Sequence, residues 1–150
     1  MKLENKEFGF ERFANEMAKL KKEQHFDYLV TIVGEDFGTE EGLGCIYILE
    51  NTQTHERCSV KQLAKQVEQE YVIPTVCNLW ADADLLEREV YDFFGIKFLG
   101  HPDMRRLFLR NDFVGYPLRK DYDMDPAKNM YNTEDDIEVD TTNEWHPNAD

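Results

Sequence analysis

Between Asp27 and Val33 the chain reads Asp-Tyr-Leu-Val-Thr-Ile-Val, almost wholly apolar and rich in β-branched side chains. Such a run favours a buried strand, because branched side chains pack well on a pleated surface and lose rotamer freedom in a helix. The turn-rich stretch Gly34 to Gly44 separates it from a second run, Cys45-Ile-Tyr-Ile-Leu49. Asn51-Thr-Gln-Thr54 then reads as a hairpin connection into a third strand around Glu56–Val60. Strands joined by short turns pair as antiparallel neighbours, and such a sheet must bury one face against something else.

The flanking segments supply that cover. Phe10, Phe13, Ala14, Met17 and Leu20 recur at helical spacing, with Glu11, Arg12, Lys19, Lys21 and Lys22 off their face. Residues 61–70 are compatible with helix or extended chain; Pro74 ends that stretch, and Thr75-Val-Cys-Asn-Leu79 is expected to be a short fourth strand. A second helix follows. Asp84 and Glu87 have capping-box spacing, Leu86, Val90, Phe93 and Phe94 form its apolar face, and Gly95 stops it. Ile96-Lys-Phe98 is expected to form a brief last strand. Strands grouped together rather than alternating with helices predict an α+β fold, a small two-layer domain of helices on a mixed or antiparallel sheet. The expected organisation is a core at 1–98, a loop-rich docking arm at 99–122 and an acidic tail at 123–150, disordered in isolation.

The net charge of the 150 residues is −14, but residues 121–150 hold ten acidic residues and a single lysine, Lys128, so the body is only mildly acidic. That balance argues against a general nucleic-acid binder, which needs surplus Lys and Arg to neutralise phosphates. Three cysteines, Cys45, Cys58 and Cys77, lie far apart with no C-x-x-C, a pattern for reduced thiols rather than a disulfide framework or a self-contained metal cluster. No apolar run reaches the roughly 20 residues that span a bilayer.

Few groups are arranged for catalysis. Glu87 and Glu89, two apart on a helix, diverge, whereas Arg88 and Asp92, four apart, are expected to pair and stay ionised. His101 and Asp103 make half a metal site, with no second local cluster to complete it. No G-x-S-x-G, H-E-x-x-H, Walker A or dinucleotide fingerprint occurs. The segment Lys97–Lys120 is different. It carries Lys97, Arg105, Arg106, Arg110, Arg119 and Lys120 against Asp103 and Asp112, interleaved with Leu107, Phe108, Leu109, Phe113, Tyr116 and Leu118. Arginine among large apolar groups is the composition of an interface core.

Three blocks in order resemble one family: Glu87-Arg-Glu-Val-Tyr-Asp-Phe-Phe-Gly-Ile96, Gly100-His-Pro-Asp-Met-Arg-Arg-Leu107 and Asp112-Phe-Val-Gly-Tyr-Pro-Leu-Arg-Lys-Asp121. They are similar to the C-type, or 30-kilodalton, subunit of NADH:quinone oxidoreductase, respiratory complex I. The resemblance implies a non-catalytic structural subunit of the hydrophilic arm with no cofactor of its own; iron–sulfur clusters, flavin and quinone would lie in partner subunits. It implies docking on the large D-type subunit at the quinone site, near the B-type subunit that carries the terminal cluster. That places it at the cytoplasmic face of the membrane, in support of electron transfer coupled to ion translocation. His101, Asp103, Arg105, Arg106, Arg110, Arg119, Lys120 and Asp121 would then be interface residues, and Glu87, Arg88, Glu89, Asp92 and Gly95 the scaffold signature. The same module occurs in membrane-bound [NiFe] hydrogenase and formate hydrogenlyase complexes, which stands as the alternative. Asp123-Met124 replaces the Pro-Leu usual in the family, and the acidic tail has no counterpart in that pattern.

Overall fold

A computed structural model describes residues 3–123. The elements run β1 (Leu3–Glu7), α1 (Phe10–Lys22), β2 (Tyr28–Asp36), β3 (Leu43–Glu50), β4 (Arg57–Leu63), β5 (Lys65–Val67), β6 (Glu70–Pro74), α2 (Ala83–Phe94) and β7 (Ile96–Leu99). The fold is α+β, with two sheets. The first has the order β1-β4-β3-β2, and the second β5-β6-β7.

The expected run of antiparallel strands is β2-β3-β4, with a bulge between Leu29 and Thr31. β1 adds to it in parallel with β4, pairing Leu3 with Arg57 through Glu7 with Lys61. Alternation then decides what is buried. Cys45, Tyr47 and Leu49 of β3, with Cys58 and Val60 of β4, face inward, whereas Ile46, Ile48, Ser59 and Lys61 are half-exposed. The α1 stripe Phe13, Met17 and Leu20 belongs to the same core, with the Phe13 and Tyr47 rings 5.3 Å apart. Full burial of side chains of this size contributes roughly 1.5–3 kcal/mol each.

The stretch 61–70 resolves into extended chain, the end of β4 followed by β5, rather than helix. The fourth strand expected at Thr75–Leu79 is absent: the strand is one step earlier, at β6, and 75–79 forms bends and turns. Thr75 pairs its N–H with Leu99, and Leu79 and Trp80 bond back to the Val76 carbonyl. Pro74 therefore ends a strand rather than preceding one. β6 and β7 are parallel, and parallel neighbours need a crossover; α2 is that crossover, which brings it against β2 as well as β7. Gly34 permits the approach, because a Cβ there would come within 2.6 Å of the Phe94 ring. Replacing Gly34 with Val is expected to lower stability by about 1–3 kcal/mol through overpacking, read from urea denaturation midpoints.

Candidate functional site

Helix α2 ends at Phe94 and leaves its last four carbonyls without intrahelical partners. The segment after β7 supplies most of what they need. Gly95, at φ 75°, donates its N–H to Tyr91. Arg106 Nη1 donates to the Asp92 carbonyl at 2.6 Å, the Leu118 N–H to Phe93 at 3.1 Å, and Arg119 Nε to Phe94 at 2.6 Å. Two guanidinium groups thus sit at the negative end of the helix dipole. The left-handed turn at Gly95 needs a glycine twice over, since a Cβ would also lie 2.6 Å from both Arg119 Nη2 and the Tyr116 ring.

Asp92 anchors the arm itself. Its buried Oδ2 accepts the N–H groups of Leu107, Phe108 and Leu109 at 3.3, 2.7 and 2.9 Å, and its Oδ1 meets Arg106 Nη1 at 3.2 Å. Arg106, only 12% exposed, also donates to the carbonyls of Phe113 and Gly115, and lies over the Tyr116 ring at 4.8 Å. Arg119 lies over Tyr116 and Tyr71. Arg88 does not form the pair with Asp92 that their spacing predicts; it reaches the carbonyls of Arg105 and Arg106 instead. Asp92 points inward, where a nest of backbone N–H groups outcompetes a helix-surface ion pair.

The second buried carboxylate, Glu87, also departs from expectation. No capping box forms; the N-cap is Asp82, without a side-chain cap bond. Glu87 instead accepts from the Thr75 hydroxyl at 2.6 Å, the Val76 N–H at 2.8 Å and the Cys77 thiol at 3.3 Å. Burial pushes its carboxyl above the ordinary value of 4.5, against the pull of those donors and of the His101 ring. Sequence spacing hides both carboxylates: they fall among polar helix positions, and their partners lie in irregular chain.

Cys77, Glu87 and His101 offer ligand atoms within 4.8 Å of one another, so the fold brings to His101 the neighbours that local sequence lacks. Asp103 is not among them. The donor set nevertheless fits a hydrogen-bonded clasp better than a metal centre. His101 Nδ1 accepts the Asp103 N–H at 2.9 Å, which places the ring proton on Nε2, 3.0 Å from the Asp84 carbonyl. Coordination through Nε2 would need that proton removed while Nδ1 stays bonded. Both Glu87 oxygens are engaged, and burial pushes the Cys77 thiol up to about 12, away from the thiolate that a metal prefers.

The cluster named from sequence thus divides. His101, Arg106 and Arg119 turn inward and hold the arm to the body. Asp103 and Arg105 pair with each other near the surface, as do Asp112 and Arg110. Lys97 pairs with Glu70. Lys120 and Asp121 are exposed, and the Lys120 N–H bonds Asp36 Oδ2 at the end of β2. Among the scaffold residues, Glu89 is exposed. The anchored arm leaves large apolar groups outward: Phe108 is 66% exposed, Val114 69% and Leu118 55%.

The respiratory-chain NADH dehydrogenase 30 Kd subunit family matches residues 10–128. The chain belongs to that family. A C/D subunit of NADH-quinone oxidoreductase from Phocaeicola vulgatus is 49% identical over 91% of the chain and 25% of the relative. NADH-quinone oxidoreductase subunit 5 of Thermus thermophilus is 38% identical over 81% of the chain and 62% of the relative. The chain thus spans about a quarter of the C/D relatives. Among solved structures, a trypsin-resistant fragment of Nqo5 matches with a TM-score of 0.59 at 37% identity, covering 66% of this chain and 82% of that one. A chain of a membrane-bound sulfane sulfur reductase, an archaeal respiratory membrane complex, matches with a TM-score of 0.72 at 26% identity, covering 83% and 75%.

Replacing Asp92 with Ala strands Arg106 and three N–H groups, so stability is expected to fall by about 3–5 kcal/mol. Amide exchange at Leu107–Leu109 should accelerate in parallel. Glu87, with its folded-state pKa raised, contributes stability that is full below 4.5 and lost as pH rises through the folded value. In Glu87→Gln that loss should disappear, so the wild-type advantage over the variant should shrink as pH climbs from 4.5, measured by denaturation midpoints across the range.

Proposed function

We propose that the chain is a non-catalytic structural subunit of the peripheral arm of a membrane-bound NADH- or ferredoxin-fed quinone oxidoreductase. It docks on the large D-type subunit through its C-terminal arm, lies near the B-type subunit, and stiffens the surroundings of the quinone site. The observation that carries this reading is the arm. The buried Arg106–Asp92 ion pair and the helix-end carbonyls fix its course, while Phe108, Val114 and Leu118 face solvent. Ordering the backbone in advance lowers the entropic cost of association, and outward apolar groups give a partner something to bury. The relatives named as C/D subunits support the choice of the D-type partner, because joining two subunits in one chain keeps them at high effective concentration.

In this reading the iron–sulfur clusters, flavin and quinone belong to partner subunits, and the membrane is reached through them, at its cytoplasmic face. No described helix is long and apolar enough to cross a membrane. The core, arm and tail act as separate functional segments, with 1–98 the body and 99–122 the docking element; of the tail, 124–150 lies outside the described residues. The likeness to a sulfane sulfur reductase chain favours a second reading, in which the module serves another membrane-bound respiratory complex, including the [NiFe] hydrogenase type.

The test is affinity capture of the tagged chain from native membranes in mild detergent. The D-type and B-type subunits should follow it, and the remaining partners separate a quinone reductase from a hydrogenase. Arg106 is an internal tie, so charge reversal there would test folding; the docking variants are Phe108→Ser with Val114→Ser, and Arg105→Glu with Arg110→Glu. Recovery of the D-type partner should fall at least tenfold with Phe108→Ser and Val114→Ser while the isolated variant keeps its melting temperature. A wild-type chain captured alone, or undiminished recovery with both double variants, would overturn the assignment.

A further inference from the structure

β2 is the terminal strand of its sheet, and among the described residues its only strand partner is β3. Among the described residues, 29–36 make no backbone–backbone bond to another element outside that pairing. Beside the open edge runs a groove of about 210 Å³. Thr31 and Val33 form part of one wall, and Glu89, Val90, Phe93 and Leu118 part of the other. Val33 is 48% exposed and Leu118 more than half exposed, so apolar surface continues from the strand across to the arm. A strand edge with a helix alongside is the geometry in which an extended peptide adds to a sheet, its main chain pairing with the edge and alternate side chains entering the groove.

The charges around this groove select the occupant. Beyond the bulge, Thr31, Val33 and Glu35 share one face of β2, and Ile32, Gly34 and Asp36 the other. Glu35 is exposed beside the position that an added strand would occupy, and Glu89 is exposed on the opposite wall. Asp36 is already engaged by the N–H groups of Gly38 and Lys120, and the nearby Arg119 by the Phe94 carbonyl. Lys120 stands only at the far end, next to Asp36. The chain's own residues 124–150, with eight acidic residues and one lysine, would meet like charge there. A second copy, also at −14, would do the same.

We propose that the edge of β2 and the groove between β2 and α2 accept, as an added strand, an extended partner segment in which apolar side chains alternate with arginine or lysine. The apolar set enters toward Val90, Phe93 and Leu118, on the face that Gly34 presents to α2; the basic set lies on the opposite face, across from Glu35, and the Glu89 carboxylate adds negative charge at the groove's rim. Cross-strand pairs of opposite charge favour this register over its one-residue slip. Leu118 is shared with the docking arm, but the edge of β2 and Glu35 are not, and the groove's lining includes neither Phe108 nor Val114, so this contact can fail without affecting the assignment to the complex.

The probe is a capped octapeptide alternating arginine and valine, titrated into the full ¹⁵N-labelled chain at physiological salt. Amide shifts should be confined to 28–36 and 89–94, and Glu35→Lys with Glu89→Lys should weaken binding at least tenfold. Both carboxylates are exposed, so the unliganded spectrum of that variant reports an intact fold. Two further peptides carry N-methyl groups on one alternate set of amides or the other. Strand addition requires that one of them loses binding and the other keeps it. Equal binding of both, unaltered affinity for the charge-reversed variant, shifts elsewhere on the surface, or no binding at millimolar peptide would each overturn the proposal. So would shifts at 28–36 that depend on protein concentration and not on peptide, which would mark the edge as a contact between copies.

Discussion

The C-terminal end of α2 is the junction on which the rest of the molecule depends. A helix end buried in protein must find partners for its last carbonyls, because water cannot reach them and an unpaired buried acceptor costs about 1–3 kcal/mol. Here three of those partners arrive from the arm: Arg106, the Leu118 N–H and Arg119. The same helix presents Asp92 to the arm's own N–H groups. Helix and arm therefore complete each other. Residues without regular secondary structure are held by charge-assisted bonds in partly buried surroundings.

That reciprocity explains what the sequence disclosed and what it withheld. Periodic features were legible: the α1 stripe, the β2–β3–β4 run and the glycine stop at Gly95 each express a local rule, and each element is found where that rule puts it. Of the small second sheet only β7 was legible, at Ile96–Phe98; β5 and β6 are short, and the pairing of β6 with β7 depends on α2 carrying the chain over. Nor were the true partners of Asp92 and Glu87. A carboxylate on a helix looks the same in sequence whether it faces water or a nest of N–H groups, and its fate is settled by chain that lies 14 or more residues away in one case and by the preceding loop in the other. Arg106 and Arg119 were conspicuous as an arginine-rich arm, yet their place is inside it.

Family membership and geometry bear on each other in the arm. The three blocks that carry the likeness to the 30-kilodalton subunit are Glu87–Ile96 at the end of α2, Gly100–Leu107 with His101 and Arg106, and Asp112–Asp121, and these pieces meet around Tyr116 and the helix end. What the blocks share is the construction of a rigid projection from a small domain. In both places where α2 buries a carboxylate, the chain's own N–H groups come to meet it: three from the arm at Asp92, and that of Val76 at Glu87.

The pairing of β1 with β4 carries a consequence for how the chain is made. Leu3 meets Arg57, and Asn5 bonds Ser59 across 54 residues. During synthesis the first strand leaves the ribosome long before its partner exists, and a parallel partner cannot be replaced by a local hairpin. The opening residues must wait, with α1 already formed behind them, until β4 has joined β3. A contact of this sequence separation is slow to form, so the edge of the sheet that β1 will cover is open for longest in the nascent chain. Closing it completes the four-stranded sheet on which α2, later in the chain, comes to pack.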